Sequence, residues 1–162
     1  MKKQKGFSLI ELLIVVAIIL IIAAIAIPNL LRSRMAANEA SCVGTLRTIN
    51  TAEVTFQTTY PTVGFANIAA LGGAAGTCAT ATGATSTGAC LIDDTIAAAP
   101  NQKSGYKFTA AAAGGTPTVT YTSTGLPVAV GQSGQRAFCS DQSGVIRANA
   151  GGTACANTDP AL

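Results

Sequence analysis

The most constraining feature of this sequence is an apolar run close to its N-terminus. From Leu12 to Ile27 sixteen consecutive residues are apolar, and from Phe7 to Ile27 only Ser8 and Glu11 are polar. As an α-helix, a run of this length extends roughly 30 Å, which is the thickness of the hydrocarbon core of a bilayer. The run therefore predicts a helix that spans a membrane, with an acidic residue near its start.

The flanks of the run predict its orientation. Lys2, Lys3 and Lys5 precede it, and because positively charged flanks stay in the cytoplasm, we expect the rest of the chain on the other side. A cleaved secretory signal peptide is the rival interpretation, with "AAIAIPNLL" as its cleavage region. We favour a retained anchor, because the apolar run is long and a helical pattern continues after Pro28.

A second, amphipathic segment follows Pro28. Apolar residues recur at helical spacing over 29–60, and Pro61 marks the predicted end. Asn38 or Glu39, and Glu53, interrupt an apolar stripe that contains Leu31, Met35, Cys42, Leu46, Ile49, Phe56 and Tyr60. Because proline disturbs helix hydrogen bonding locally, we expect a kink at Pro28 rather than a helix end. One long helix then has an apolar half, 7–28, and an amphipathic half, 29–60, that covers a small domain.

The remaining chain is predicted to be a loop region followed by short strands. Residues 61–105 have a weak pattern and include the nearly low-complexity stretch "GGAAGTCATATGATSTGAC". Within 106–162 and at its border, the candidate strands are "GYKFTAA", "TVTYTS", "LPVAV", "RAFCSD" and "VIRAN", with turns at "GGTP" and "QSG". The predicted fold is therefore α+β, a long N-terminal helix packed on a small antiparallel sheet of three to five strands.

The five cysteines lie in the part predicted to be outside the cytoplasm, where disulfides persist. Cys78 and Cys90 flank the low-complexity loop, and Cys139 and Cys155 flank a C-terminal segment. We expect both pairs to form disulfides, each worth roughly 3 kcal/mol in the chain-entropy account, because a core of small residues needs such cross-links. Cys42 is left as a buried thiol, with a Cys42–Cys78 bond as the alternative.

The composition gives little support to catalysis or to cofactor, metal or nucleic-acid binding. The chain has no histidine and no CxxC motif, so the usual triads and zinc sites are lacking. Without the N-terminal lysines, seven basic residues balance seven acidic ones, which leaves no basic surface. We expect no enzyme, no cofactor and no metal. Calcium at Asp93 and Asp94 is a weak alternative, and Asp141 and Asp159 are the acids of the C-terminal region.

The stretch "KGFSLIELLIVVAIILIIAAIAIPNLL" resembles the N-terminal signature of type IV prepilins and the related pseudopilins. That signature is a short basic leader, a glycine, a methylated aromatic residue, a glutamate four residues on, an apolar helix and a proline. Gly6, Phe7, Glu11 and Pro28 occupy those places in order. The resemblance implies that prepilin peptidase removes the leader, 1–6, by cutting between Gly6 and Phe7. The new amino group of Phe7 is then methylated, and the apolar helix stays on the mature chain.

Glu11 has two interpretations. Ser8 and Glu11 have the S-x-x-E spacing of a capping box, and an acid there also suits the positive end of the helix dipole. The resemblance implies a second role, in which Glu11 pairs with the Phe7 amine of a neighbouring subunit. Such a pair would fix the register of the subunits, because an acid buried in an apolar region requires a partner. Capping would operate in the free subunit and pairing in the filament.

The function implied by the resemblance is that of a structural subunit of a type IV pilus, a helical homopolymer. Its expected partners are copies of itself, prepilin peptidase, the inner-membrane pilus or secretion assembly machinery, and membrane lipid before assembly. The chain would reside in the inner membrane first and in an extracellular pilus afterwards. A Cys139–Cys155 bond would match the disulfide-bounded C-terminal loop of pilins.

Two alternative functions remain at this point. One is a pseudopilin of a type II secretion system, which forms a short periplasmic filament. The other is a minor pilin that acts as an adhesin or DNA-binding module. Nucleic acid is not expected as a partner, and the only hint of it is the cluster Lys103, Tyr106, Lys107 and Phe108.

Overall fold

The computed structural model describes residues 7–73, 78 and 84–162. By its internal contacts the chain separates into two compact units, Met1–Arg34 and Met35–Leu162. Helix α1 belongs to both units, and the other elements belong to the second. In chain order the elements are α1 (Leu9–Thr59), α2 (Ile68–Gly72), α3 (Asp94–Ala97), β1 (Gln102–Lys103), β2 (Tyr106–Ala113), β3 (Thr120–Pro127), β4 (Ala137–Asp141) and β5 (Arg147–Asn149). This arrangement confirms the predicted α+β class.

Helix α1 continues through Pro28. The alternative in which this proline ends the helix is therefore wrong, whereas the kink itself stays a prediction. The apolar part of α1 is long and apolar enough to cross a membrane, judged by length and composition, and none of that part is buried. Its side chains consequently need a surrounding that the chain alone does not provide.

The part of α1 in the second unit buries one face in the core. Cys42, Leu46, Ile49 and Phe56 of the predicted stripe are fully buried. They share a core with residues of the sheet and the connecting segments, among them Tyr106, Phe108, Phe138, Leu71 and Ile96. Of the other stripe residues, Leu31 is exposed, and Met35 and Tyr60 are only partly buried. The stripe was therefore predicted correctly in its centre and too broadly at its ends.

The sheet has the order β1-β2-β3-β4-β5, and every neighbouring pair is antiparallel. Strands β2 and β3 pair along their full length, from Tyr106 opposite Pro127 to Ala113 opposite Thr120. Along β2 the side chains alternate between buried Tyr106 and Phe108 and exposed Lys107 and Thr109. This alternation gives one face toward α1 and one toward solvent, as expected for an antiparallel sheet covered on one side.

Two strand predictions differ from the structure. The segment "LPVAV" is not a strand of its own, because Leu126 and Pro127 complete β3 and the chain then turns. Because β3 pairs with β2 along its full length, it continues through Gly125. A glycine at that place in the sequence suggests the end of a strand. Val119 precedes β3 and is exposed, whereas Tyr121 within β3 is buried, so the two do not share the core face.

The range 61–105 contains regular structure that its weak pattern did not predict. Helix α2 starts at Asn67, whose side chain accepts a hydrogen bond from the Ala70 N–H at 3.0 Å. Helix α3 starts at Asp93, which accepts from the Thr95 N–H at 2.9 Å. Both helices are very short, and such Asx caps satisfy N–H groups that a short helix cannot.

Both predicted disulfides are present. Cys78 is bonded to Cys90, and Cys139 to Cys155. The free cysteine is Cys42, which is buried, so the alternative Cys42–Cys78 pairing is wrong. Cys42 packs so closely on β3 that a side chain at Gly125 would collide with its sulfur, and this contact explains a glycine inside that strand.

Candidate assembly site

The first turn of α1 is closed by the glutamate that the sequence singles out. The backbone N–H of Ser8 donates a hydrogen bond to Glu11 Oε2 at 2.9 Å. The Leu12 N–H donates to the Ser8 carbonyl at 3.3 Å, which places Ser8 at the N-terminal boundary of the helix. The glutamate half of the predicted capping box is therefore formed within one chain.

The groups that would meet a neighbouring subunit are accessible. Phe7 is 78% exposed, and Glu11 lies on the exposed surface of α1. Gly6 lies outside the described residues, so the Gly6–Phe7 junction has no structural description. The pairing of Glu11 with a second copy's Phe7 stays a prediction, because it involves two chains.

Around and beyond Glu11 the helix presents an apolar surface on all sides. A single protein in water rarely exposes a contiguous apolar patch larger than a few hundred Å². Here the side chains that are roughly half exposed or more are Leu9, Ile10, Leu12, Leu13, Ile14, Val15, Val16, Ile18, Ile19, Leu20, Ile21, Ile22, Ile25, Ile27, Leu30 and Leu31. Such a surface is compatible with lipid or with other apolar helices as its surroundings, and not with water.

In the second unit, Glu39 of α1 holds the start of β4. Its Oε1 accepts from the backbone N–H groups of Gln135 and Arg136, at 2.9 and 3.1 Å. Its Oε2 accepts from Nε of Arg136 at 2.9 Å and forms an ion pair with the same guanidinium at 2.8 Å. Partial burial raises the pKa of Glu39, but the hydrogen bonds from Gln135 and Arg136 outweigh it and leave this pKa below its ordinary value.

Asn50 forms a second polar link between α1 and the sheet. Its Nδ2 donates to Ser140 Oγ at 2.8 Å, and its Oδ1 accepts from the Tyr121 hydroxyl at 3.1 Å. Asn50 was not predicted from the sequence, and Glu39 was predicted only as an interruption of the stripe. Polar residues that recur on the apolar side of an amphipathic helix were the signal that could have identified both.

The acidic residues considered for calcium serve local structure. Asp93 caps α3, and Asp141 accepts from the Ser143 N–H at 2.9 Å. Asp159 accepts from Asn149 Nδ2 and from the Ala156 N–H. Its carboxylate lies within 4.8 Å of both sulfurs of Cys139 and Cys155, but these form a disulfide and therefore offer no thiolate to a metal.

The cluster considered for nucleic acid is divided between the two faces of the sheet. Tyr106 and Phe108 are buried in the core, and Lys103 and Lys107 are exposed. Strand alternation is the cause, because residues one apart in β2 point to opposite faces. These aromatic rings are therefore not available for stacking on bases.

Comparison with known proteins agrees with this picture at the N-terminus. Residues 1–27 match the family described as "Prokaryotic N-terminal methylation motif". Over 39 residues the chain is 64% identical to the type IV wide pilus major component PilA4 of Thermus thermophilus. Over 54 residues it is 44% identical to the type IV major pilin protein PilA of Myxococcus xanthus.

These similarities are confined to part of each protein. The matched segments are 24% and 33% of this chain, and 30% and 24% of the two relatives. No solved structure shows a significant match to the chain. The N-terminal methylation motif and the two relatives thus show that the N-terminal part of the chain is similar to that of type IV pilins.

Proposed function

We propose that this chain is the structural subunit of a type IV pilus and polymerises through its N-terminal helix. The observation that carries the proposal is the exposed apolar surface of α1 with an accessible carboxylate, Glu11, at its start. Lipid can cover that surface before assembly, and the helices of other subunits can cover it afterwards. The names of the two relatives, both of them pilus components, support the same function.

The proposed maturation follows from the N-terminal methylation motif. Prepilin peptidase cuts between Gly6 and Phe7, the Phe7 amine is methylated, and the mature chain stays in the inner membrane through 7–28. The second unit lies outside the cytoplasm, where its two disulfides are stable. Assembly machinery of the inner membrane then transfers the subunit from lipid into the filament.

In the proposed filament Glu11 gains a second partner. In the single chain its carboxylate accepts from the Ser8 N–H. In the polymer it also meets the amine of Phe7 from a neighbouring copy, in surroundings from which water is excluded. A charge pair in such surroundings is stable only in good geometry, so it selects one stacking register among many that an apolar helix allows.

Location of the protein distinguishes this function from that of a pseudopilin. Filaments are sheared from intact cells, and their composition is determined by mass spectrometry and by labelling with an antibody against the second unit. A pilus subunit is the main protein along the whole filament. A protein found only in the periplasmic and membrane fractions, with no surface filament lost on deletion of its gene, contradicts the proposal.

A further inference from the structure

Glu53 is a fully buried acid on the core face of α1. Its Oε2 accepts a hydrogen bond from the Ala66 N–H at 2.9 Å. Its Oε1 is buried and has no hydrogen-bond partner among the residues that the structure describes. The Ala66 hydrogen bond connects α1 to the segment 60–67, which leaves the helix and leads to α2.

None of the described groups that face Glu53 carries a positive charge that could balance its carboxylate. From β3 the facing titratable group is Tyr121, whose hydroxyl donates to Asn50 of α1. Farther along the sheet, the charge of Asp141 of β4 raises the pKa of Tyr121, and Arg147 of β5 in turn lowers the pKa of Asp141. The ion pair found in the described part of the chain joins Glu39 to Arg136 and does not involve Glu53.

This environment favours the neutral acid. Burial raises the pKa of Glu53 to about 7, although the hydrogen bond from Ala66 acts in the opposite direction. Tyr121 remains neutral at that pH, because burial raises its pKa to about 12 and the charges of Glu53 and Asp141 act in the same direction. Glu53 therefore changes its charge in the pH range in which cells live.

The segment over Glu53 is also attached through Thr118 and through the ring of Phe65, which packs on Tyr121 with the ring centroids 4.8 Å apart. Phe65 donates its N–H to the Thr118 carbonyl at 3.2 Å, and Thr118 donates its N–H to the Val63 carbonyl at 2.9 Å. The Thr118 hydroxyl also contacts the Val63 and Phe65 carbonyls. Beside the segment lies an open cavity of about 530 Å³, whose lining includes Phe56, Val63, Phe65, Ala66 and Thr118. Ala66, which donates to Glu53, therefore borders this cavity.

We propose that Glu53 is a protonation-dependent latch, which as the neutral acid fastens the segment 60–67 to α1 and as the carboxylate releases it toward water. Release follows from the geometry, because the closed position buries the carboxylate without a facing cation among the described residues, and burial without a counter-charge costs the ionised form far more than the neutral acid. The device acts within one subunit and does not depend on the proposed filament.

Direct titration is the first test. The chain contains three glutamates, Glu11, Glu39 and Glu53, so ¹³C-labelled glutamate gives three side-chain carboxyl resonances in the full-length protein in detergent micelles. One of them is expected to titrate near pH 7, and Glu53→Gln should abolish that resonance. Titration of all three below about pH 5, near the ordinary range of glutamate, overturns the proposal without any variant.

Hydrogen exchange of the amides of 63–67 is the second test. For a pKa of about 7 in the closed form and an ordinary pKa of about 4.5 in the open form, the opening equilibrium constant rises about tenfold between pH 6 and pH 8. The rise is measured after correction for the intrinsic exchange rate. Glu53→Gln mimics the neutral acid and should remove the rise.

Glu39→Gln is the matched control. It neutralises a second carboxylate on the same helix that also accepts backbone N–H groups, but that one is paired with Arg136. The tenfold rise at 63–67 should persist in this variant. A rise that persists equally in Glu53→Gln, or a wild-type rise below about twofold, contradicts the latch.

Discussion

Glu11 has one partner within the chain and a second, proposed partner in a neighbouring subunit. Within the chain it accepts the Ser8 N–H and thereby closes the first turn of α1. That contact leaves the residue on the exposed surface of the helix, so capping does not prevent an approach by a second molecule. The two roles therefore differ in their consequences when the charge is removed, and substitution can separate them.

Glu11→Gln keeps the capping geometry and removes the charge. If Glu11 pairs with a neighbouring Phe7 amine in the filament, the variant leaves that amine buried and unpaired, which costs about 3–5 kcal/mol per contact. We expect cut, membrane-inserted subunits and very few surface filaments, counted by electron microscopy. Ser8→Ala is the control, because it changes a side chain at the start of the helix, keeps the backbone N–H that Glu11 accepts and leaves the charge unchanged. Abundant filaments with Glu11→Gln would leave the intersubunit pair without support.

Glu39 and Glu53 show how one helix shifts the pKa values of two carboxyl groups in opposite directions. Glu39 receives N–H donors and a guanidinium, and its pKa is lowered. Glu53 receives one N–H donor in the core, and its pKa is raised to about 7. By linkage, the contribution of Glu39 to stability is present above pH 4.5 and is lost as pH falls through its folded-state pKa. The contribution of Glu53 is fully present below about pH 4.5 and is lost as pH rises to about 7.

Glu39→Gln should therefore destabilise the second unit at neutral pH, and the destabilisation should be smaller in acid. We expect the free energy of unfolding to fall by about 1–2 kcal/mol at pH 7, a modest value because Arg136 is partly exposed to solvent. Chemical unfolding of the full-length chain in detergent at pH 7 and pH 3 measures the difference. Arg47→Gln, at an exposed position of the same helix, should stay within about 0.5 kcal/mol of wild type. Equal losses at both pH values would show that the Glu39 charge is not what holds β4.

At the scale of elements, α1 is a continuous helix with two different surfaces. Its first part is apolar all round and exposed, and its second part is buried on one face. Both surfaces were predictable, because a long apolar run and a stripe at helical spacing follow from side-chain chemistry alone. The role of Glu53 was not predictable. An acid on the apolar side of a helix only interrupts the sequence pattern, and its backbone partner, Ala66, is known from the structure alone.

The sheet was predictable in class and less so in detail. Alternation in β2 and the turn between β2 and β3 identified a hairpin correctly. The separate strand predicted for "LPVAV" was wrong, because β3 continues through Gly125, a glycine that accommodates the close approach of Cys42 and does not end the strand. The short helices α2 and α3 were missed because each has barely one turn, and only their Asx caps, Asn67 and Asp93, marked them.

The disulfides differ in how much structure they hold. Cys139 lies buried within β4 and ties that strand to the C-terminal segment, whereas Cys78–Cys90 closes a loop. Replacing both Cys139 and Cys155 by Ser should lower the free energy of unfolding by about 3–5 kcal/mol, because the variant also buries a hydroxyl in the sheet. Replacing Cys78 and Cys90 should cost about 2–3 kcal/mol. Chemical unfolding of both variants tests the order, and an unchanged stability of the Cys139/Cys155 variant would refute it.

At the scale of the whole molecule, the chain combines two units with different requirements. The unit Met35–Leu162 has a hydrophobic core of its own and two disulfides. The helix of the unit Met1–Arg34 exposes its apolar side chains and depends on lipid or on other helices for cover. These requirements agree with the proposed function, in which lipid covers the helix before assembly and other copies of the chain cover it afterwards.

The central claim is that the chain is made as a prepilin and becomes a pilus subunit. The most direct measurement is the mass of the N-terminal peptide of this protein in filaments sheared from the cell surface. We expect a peptide that begins at Phe7 and carries one N-methyl group, with the apolar helix retained. A chain that begins after Ala24 or Ala26 would instead reveal an ordinary signal peptide. That result would remove the helix on which polymerisation depends and would contradict the account.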